Sequence, residues 1–281
     1  MAASVPPARP SAVADSYARL NEAFSWLRVS ELAEGEKAPS GEGWTGIGEL
    51  TAGGAALDAY LRWDEEQVLR DYGERGRPDV IAGFGLHRYA YSGCLLLTLP
   101  WFLRRRVPHL SVADVTFHRE EGRLAVRTGA FSCLPADPAA ALPGARVVAD
   151  EAALREALLG ALTAHLRPLL DRFGPRMRRR GRALWGMATD DITEGLWAAG
   201  RALGEEDRAT RELSRLLPGG TLPYTGAAGF RELPGHDGAR LLTRDRISCC
   251  FSYTLGPGDT CDTCPRTCDA DRLARRLATA V

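Results

Sequence analysis

Lysine is almost absent from this sequence. Lys37 is the sole example, and arginine supplies the other positive charges, which 36 acidic residues balance to a formal net charge of zero. With no net charge, nothing in the bulk electrostatics favours nucleic acid or an anionic membrane as partner. A long apolar run is missing as well. The longest stretch, Tyr89 to Leu103, is interrupted by Ser92, Gly93, Thr98 and Pro100. It falls short of the roughly 20 residues a spanning helix needs, so it reads as a buried core helix and no stable membrane insertion is expected. Met1 to Ala14 lacks the charged start and apolar core of a secretory leader. No glycine-rich phosphate loop follows a clear strand, so the nicotinamide and flavin fingerprints are missing and electrons would have to come from another protein. The histidines His87, His109, His118, His165 and His236 have no metal-ligand spacing. An odd number of cysteines and no export signal suit a reducing compartment, and the expected location is the cytoplasm.

Cysteine is concentrated at one end. Five of the seven are Cys249, Cys250, Cys261, Cys264 and Cys268. An adjacent pair, ten intervening residues and a Cys-x-x-Cys pair put four thiolates on one hairpin-sized segment. Soft thiolates select zinc, copper(I) or an iron–sulfur cluster over hard cations. Zinc in ribbons and fingers is gripped by two separated Cys-x(2–4)-Cys knuckles. Neighbouring cysteines on extended backbone point to opposite sides, so both reach one small ion only through a kink. A two-iron cluster has a wider footprint. The arrangement favours [2Fe-2S] on Cys249, Cys250, Cys261 and Cys264, with zinc, disulfides or chance spacing as alternatives. Cys268 reads as a neighbour outside the ligand set that could compete for the fourth position. Cys94 and Cys133 sit in apolar segments and read as small buried hydrophobes.

The run Cys249-Cys250-x10-Cys261-x2-Cys264 resembles the cysteine signature of the FhuF-type ferric-siderophore reductases. Arg246, Tyr253, Gly256 to Gly258 and Pro265-Arg266 agree with the flanks of that signature. The likeness covers about residues 244 to 272. Upstream, Leu184-Trp185-Gly186 resembles a Leu-Trp-Gly segment in the helical region of the same family. The resemblance implies a [2Fe-2S] cluster on the four thiolates, one-electron reduction of a ferric siderophore of hydroxamate type, release of Fe(II), and a ferredoxin-like donor. Two other classes stay open: a zinc-stabilised binding module, and an iron–sulfur redox sensor.

Periodicity predicts an α+β protein, a mainly helical body with a small β-hairpin or sheet and a cysteine-rich C-terminal segment. Helices are expected over about 12–28, 55–72, 80–103 (broken or stopped at Pro100), 150–173, 178–203 and 205–217, with a last short helix capped by Asp269. Residues 34–54 read as a loop. Alternation on either side of Arg119-Glu120-Glu121-Gly122 predicts a β-hairpin. The proline-bearing stretch 136–144 is a candidate boundary. Residues 219–238 read as a Gly/Pro loop and 240–253 as extended. The working division is 1–238 for a siderophore-binding body and 239–281 for the cluster-binding segment.

Three further features carry weaker signals. Arg172, Arg176, Arg178, Arg179, Arg180 and Arg182 form a solvated basic face or a docking patch for an acidic donor or ligand. Asp190 and Asp191 read as structural helix residues, with one facing solvent. Trp185, Tyr253 and the run 178–182 are the candidates for substrate contact.

Overall fold

The computed structural model describes residues 10–235, 240–256 and 260–279. In chain order come α1 (Ala14–Ala23), β1 (Arg28–Glu31), β2 (Trp44–Gly46), α2 (Ile47–Ala52), α3 (Ala55–Tyr72) and α4 (Pro78–Arg104). Five short strands follow: β3 (Arg106–Pro108), β4 (Val115–His118), β5 (Arg123–Val126), β6 (Phe131–Cys133) and β7 (Ala145–Val147). The remaining elements are α5 (Glu151–Met177), α6 (Gly181–Ala202), α7 (Glu206–Leu216), β8 (Phe230–Pro234), β9 (Arg240–Arg244) and α8 (Asp269–Thr279). The fold is α+β with helix in the majority, as periodicity predicts. No helix among the described residues is long and apolar enough to cross a membrane.

Two compact units divide the chain: Met1–Glu49 with Leu96–His165, and Leu50–Leu95 with Leu166–Val281. The first holds a four-stranded sheet in the order β1-β5-β4-β2 and a three-stranded sheet β3-β6-β7. The expected hairpin is β4–β5, antiparallel, with Phe117 opposite Leu124 and both buried. Residues 34–54 are not all loop, because β2 pairs with β4 there and α2 follows. Gly43 makes the pairing possible: its φ is +79°, and a Cβ on it would lie 2.3 Å from the His118 ring. The stretch 136–144 is not a boundary either. Residues Pro138–Ala141 form a 3-10 turn capped by the Asp137 side chain, which also takes two hydrogen bonds from Arg106.

Pro100 does not break α4, which runs on to Arg104. An internal proline costs a helix about 3 kcal/mol. Trp101 and Phe102, just beyond it, are fully buried. Each aromatic removes roughly 150–250 Å² from water, worth about 4–6 kcal/mol as an upper bound, so packing outweighs the penalty. By the same reasoning α5 passes through Pro168 and Pro175 and ends beyond the expected residue 173.

In the second unit α6 is buried along most of its length and packs on α7. The antiparallel hairpin β8–β9 occupies part of the expected Gly/Pro loop. Trp197 of α6 stacks edge-on against Phe230 of β8. This hairpin follows α7 and leads into the cysteine segment, where only residues 240–244 of the expected extended run are strand.

Candidate metal centre

The approach to the cysteines is fixed by charge rather than by strand pairing. Arg244, at the end of β9, is fully buried. Its guanidinium donates to Asp190 Oδ1 at 2.7 Å, to Glu194 Oε1 at 2.8 Å and to the Ala228 carbonyl at 3.0 Å. Asp190 also accepts from the backbone N–H of Ile247 and Ser248, at 3.0 and 2.8 Å, and from Ser248 Oγ at 2.7 Å. One α6 carboxylate therefore holds the residue pair immediately before Cys249. Both Asp190 and Asp191 are buried, which corrects the expectation that one faces solvent. Glu194, one turn on, accepts from Thr263 Oγ1 at 2.9 Å and so ties the same helix to the Cys-x-x-Cys turn.

Shape does the rest. A Cβ on Gly186 would stand 2.9 Å from Ile247 Cγ2, and one on Gly226 would stand 2.5 Å from Ile247 Cδ1. The glycine of the Leu-Trp-Gly segment is where α6 admits the residue ahead of the cysteine pair. Downstream, Leu255 is buried with Val68, Val80 and Ile81 of α3 and α4. The Gly256 N–H donates to Glu74. Pro257 and Gly258, expected to turn the loop and aim amides at the sulfurs, lie outside the described residues.

The Cys-x-x-Cys forms a tight turn, with Cys264 N–H donating to the Cys261 carbonyl at 3.0 Å. Arg272 of α8 donates to the Cys264 carbonyl at 3.1 Å, and Thr267 Oγ1 to that of Cys261 at 2.9 Å. The sulfurs stand in two pairs. Cys249 Sγ and Cys264 Sγ are 3.9 Å apart, and Cys250 and Cys261 lie close enough for each to shift the other's pKa. Two thiolates on one tetrahedral metal with bonds of about 2.3 Å stand roughly 3.8 Å apart. The pairing thus crosses the motif, one member from each half. Among the described residues no three His, Cys, Asp or Glu side chains converge on a single-ion position. Two pairs suit a two-iron cluster better than one zinc.

Donors surround the sulfurs. Phe251 N–H points at Cys249 Sγ (3.4 Å), Arg266 N–H at Cys264 Sγ (3.5 Å) and Arg246 Nη1 at Cys261 Sγ (3.8 Å). Ser252 Oγ lies 3.4 Å from Cys250 Sγ. Hydrogen bonds of this kind stabilise sulfur charge and set cluster potential. The Cys250 thiol is pulled down chiefly by its interaction with Cys261, with Ser252 and Arg246 adding to it, while the same interaction pushes Cys261 up. Burial pushes the Cys249 thiol up. The donor set fits a [2Fe-2S] cluster.

Other candidates fall outside the sulfur group. Cys268 is exposed in the turn before α8, and Cys94 and Cys133 are buried. His165 is a buried histidine bonded to the Leu110 carbonyl at 3.0 Å. His236 lies outside the described residues. Trp185 packs edge-on against Tyr224, and Arg266 covers the Tyr253 ring at 4.9 Å. Sequence reasoning missed the roles of Asp190, Glu194 and Arg244. It also missed that Arg179 donates to the Cys249 carbonyl at 2.6 Å.

No curated protein matches this chain. Residues 246–266 match a family model described as the FhuF 2Fe-2S C-terminal domain, which spans both cysteine pairs and points to a [2Fe-2S] cluster as the cofactor. Over those residues the expected resemblance is borne out, and the cysteine segment is similar to the FhuF 2Fe-2S C-terminal domain.

Proposed function

We propose that this protein is a cytoplasmic one-electron reductase of ferric siderophores, of hydroxamate type, that releases Fe(II). Cys249, Cys250, Cys261 and Cys264 are the residues that would hold the cluster, and residues 1–238 supply the siderophore-binding body. The observation that carries the reading is the crossed pair of thiolate pairs inside the matched segment. A [2Fe-2S] cluster supplies single electrons at a potential set by its surroundings. The chain's own part is to hold the sulfurs: Asp190 fixes the backbone before Cys249, Glu194 holds Thr263 just before Cys264, and three N–H groups face sulfur. Hydroxamate oxygens hold hard Fe(III) well and Fe(II) far less well, so adding one electron labilises the substrate iron. A ferredoxin-like protein is the electron source under this reading.

Iron and sulfide content test the cofactor: two of each per chain are expected, with red-brown colour, whereas a zinc module is colourless. Replacing any of the four cysteines by Ser should remove or destabilise the cluster, and Cys268→Ser should leave the visible spectrum almost unchanged. Bleaching by Cys268→Ser but not by Cys264→Ser would reverse the ligand assignment. For the reaction, reduced protein is mixed anaerobically with a ferric hydroxamate and a ferrous chelator. A Cys261→Ser control that traps Fe(II) at the wild-type rate would leave the sensor reading in its place.

A further inference from the structure

The basic run at the turn from α5 to α6 separates into two groups. Arg172 donates to the Thr51 carbonyl, and Arg176 pairs with Asp58. Arg179 turns inward: it bonds the Cys249 carbonyl, donates to Met187 Sδ at 3.1 Å and covers the Phe251 ring at 4.7 Å. Arg178, Arg180 and Arg182 do none of this. All three are exposed, and among the described residues their side chains have no ion pair or hydrogen bond. Arg178 holds a left-handed backbone (φ 54°) that splays the run, while Arg179 N–H closes the turn on the Gly174 carbonyl at 3.0 Å. No acidic residue occurs between Asp171 and Asp190. Three uncompensated guanidinia thus sit at the junction of α5 and α6, on either side of Arg179, which is hydrogen-bonded to the Cys249 carbonyl. Arg77, which pairs with Asp79 at 3.1 Å, lies 5.8 Å from the same Phe251 ring and adds no free charge.

We infer that Arg178, Arg180 and Arg182 form the docking surface for an acidic one-electron donor protein, which delivers its electron beside Cys249. The inference rests on the reductase reading. One electron leaves the reduced donor, which is oxidised, and enters the centre held by the cysteines, which is reduced; no proton or bond need move. The chain has zero net charge, so a local patch must do the steering that bulk charge cannot. Weak, small interfaces governed by complementary charge are the rule for electron-transfer encounters. A small anionic chelate is bound best in a concave site, whereas exposed guanidinia on a turn present charge outward to a protein face.

The test compares the intact, cluster-loaded protein with R178E/R180E/R182E and with the charge-conserving R178K/R180K/R182K. The probes are a [2Fe-2S] ferredoxin of strongly negative net charge and photoreduced 5-deazariboflavin, a small neutral reductant. Binding of oxidised ferredoxin, followed by calorimetry, should weaken at least about tenfold in the Glu variant and stay near wild type in the Lys variant. The stopped-flow rate of reduction by ferredoxin should fall likewise at low salt, with the gap closing as salt screens the patch. Reduction by deazariboflavin should be the same in all three. Unchanged ferredoxin binding in the Glu variant overturns the docking surface, as does an equal loss with both reductants. Normal ferredoxin kinetics with slower oxidation by an anionic ferric chelate would assign the patch to substrate instead. If ferredoxin binds with the expected charge dependence yet no ferric chelate is reduced, the surface stands and the reductase reading alone fails.

Discussion

The hairpin of the first unit and the cysteine segment of the second are both built from short irregular pieces, yet they are held by opposite means. In the hairpin Val115, Phe117, Leu124, Ala125 and Val126 are all buried, and apolar burial is non-directional. Among the described residues between 244 and 267 the buried set is Arg244, Ser248, Leu255, Cys264 and Thr267, of which only Leu255 is a large hydrophobe. There, position is dictated by hydrogen bonds to Asp190, Glu194 and Arg272. Apolar packing tolerates small rearrangements, whereas a charged, fully bonded anchor has one geometry. That is the support a redox centre needs, since its ligands must stay put while its charge changes.

The largest test of this contrast is a pair of variants. Asp190→Ala takes from buried Arg244 its fully buried partner, leaving Glu194, and frees two backbone N–H groups; breaking a buried ion pair costs about 3–5 kcal/mol. Leu124→Ala in the hairpin should cost a similar amount, about 2–5 kcal/mol, through transfer and cavity terms. Matched losses in Tm are therefore expected with unmatched spectra: the visible absorbance of anaerobically purified protein should collapse in the first and persist in the second. Equal bleaching at equal destabilisation would erase the distinction between the two regions.

Gly186→Ala probes shape instead of charge. Alanine favours a helix interior over glycine by about 1 kcal/mol, while overpacking against Ile247 costs about 1–3 kcal/mol. The two nearly cancel, so thermal stability should move little. The cysteine pair, which follows Ile247 after Ser248, should shift, altering the visible circular dichroism of the centre. Adding Ile247→Ala should restore the wild-type dichroism, and failure to do so would mean the contact does not transmit to the sulfurs.

A smaller effect is expected at Arg246, whose guanidinium faces Cys261 Sγ. A positive charge there favours the reduced, more negative state of whatever the thiolates bind. Arg246→Gln should lower the reduction potential on the order of tens of millivolts, and Arg246→Lys by less. Redox titration followed optically decides it, and a potential that rises would overturn the electrostatic account.

These variants also mark what was legible in the sequence. All four proposed ligands fall within 249–264, so their spacing is a local property. The bounds of α3 matched expectation because its apolar spacing is flanked by Gly54 and by Gly73, its left-handed C-cap. The β4–β5 hairpin announced itself by alternation around Gly122. Asp190 was different, because the groups it holds lie 54 to 58 residues downstream and no local pattern encodes that pairing. One signal was present: two adjacent carboxylates inside the apolar stretch Leu184 to Leu196, where a buried acid without a partner is costly. Pro100 misled for the converse reason, since burial of the residues after it is a tertiary property.

The finest contrast between the regions is their response to pH. In the first unit His109 and His165 have their pKa values lowered, in both cases chiefly by burial, which disfavours the imidazolium. In the second, His87 loses hydration too, but the charge of Asp191 and the 2.5 Å bond to it prevail, and its pKa is raised above 6.5. The signs then oppose each other. A lowered histidine pKa contributes stability that is present above about 6.5 and is lost as pH falls toward the folded value, because the unfolded chain takes up the proton first. The raised pKa of His87 contributes stability that is full below about 6.5 and is lost as pH climbs through its folded value. The His87 side chain is 40% exposed, so solvent screening keeps this contribution small. Proton NMR of the imidazole Cε1–H signals should show His87 titrating above His109 and His165. Asp191→Asn should bring His87 down while leaving the other two where they are. The stability difference between wild type and Asp191→Asn in urea should be larger at pH 5.5 than at pH 8.5. A His87 midpoint below 6.5, or a difference that grows with pH, would show that burial rather than Asp191 governs this edge of the network.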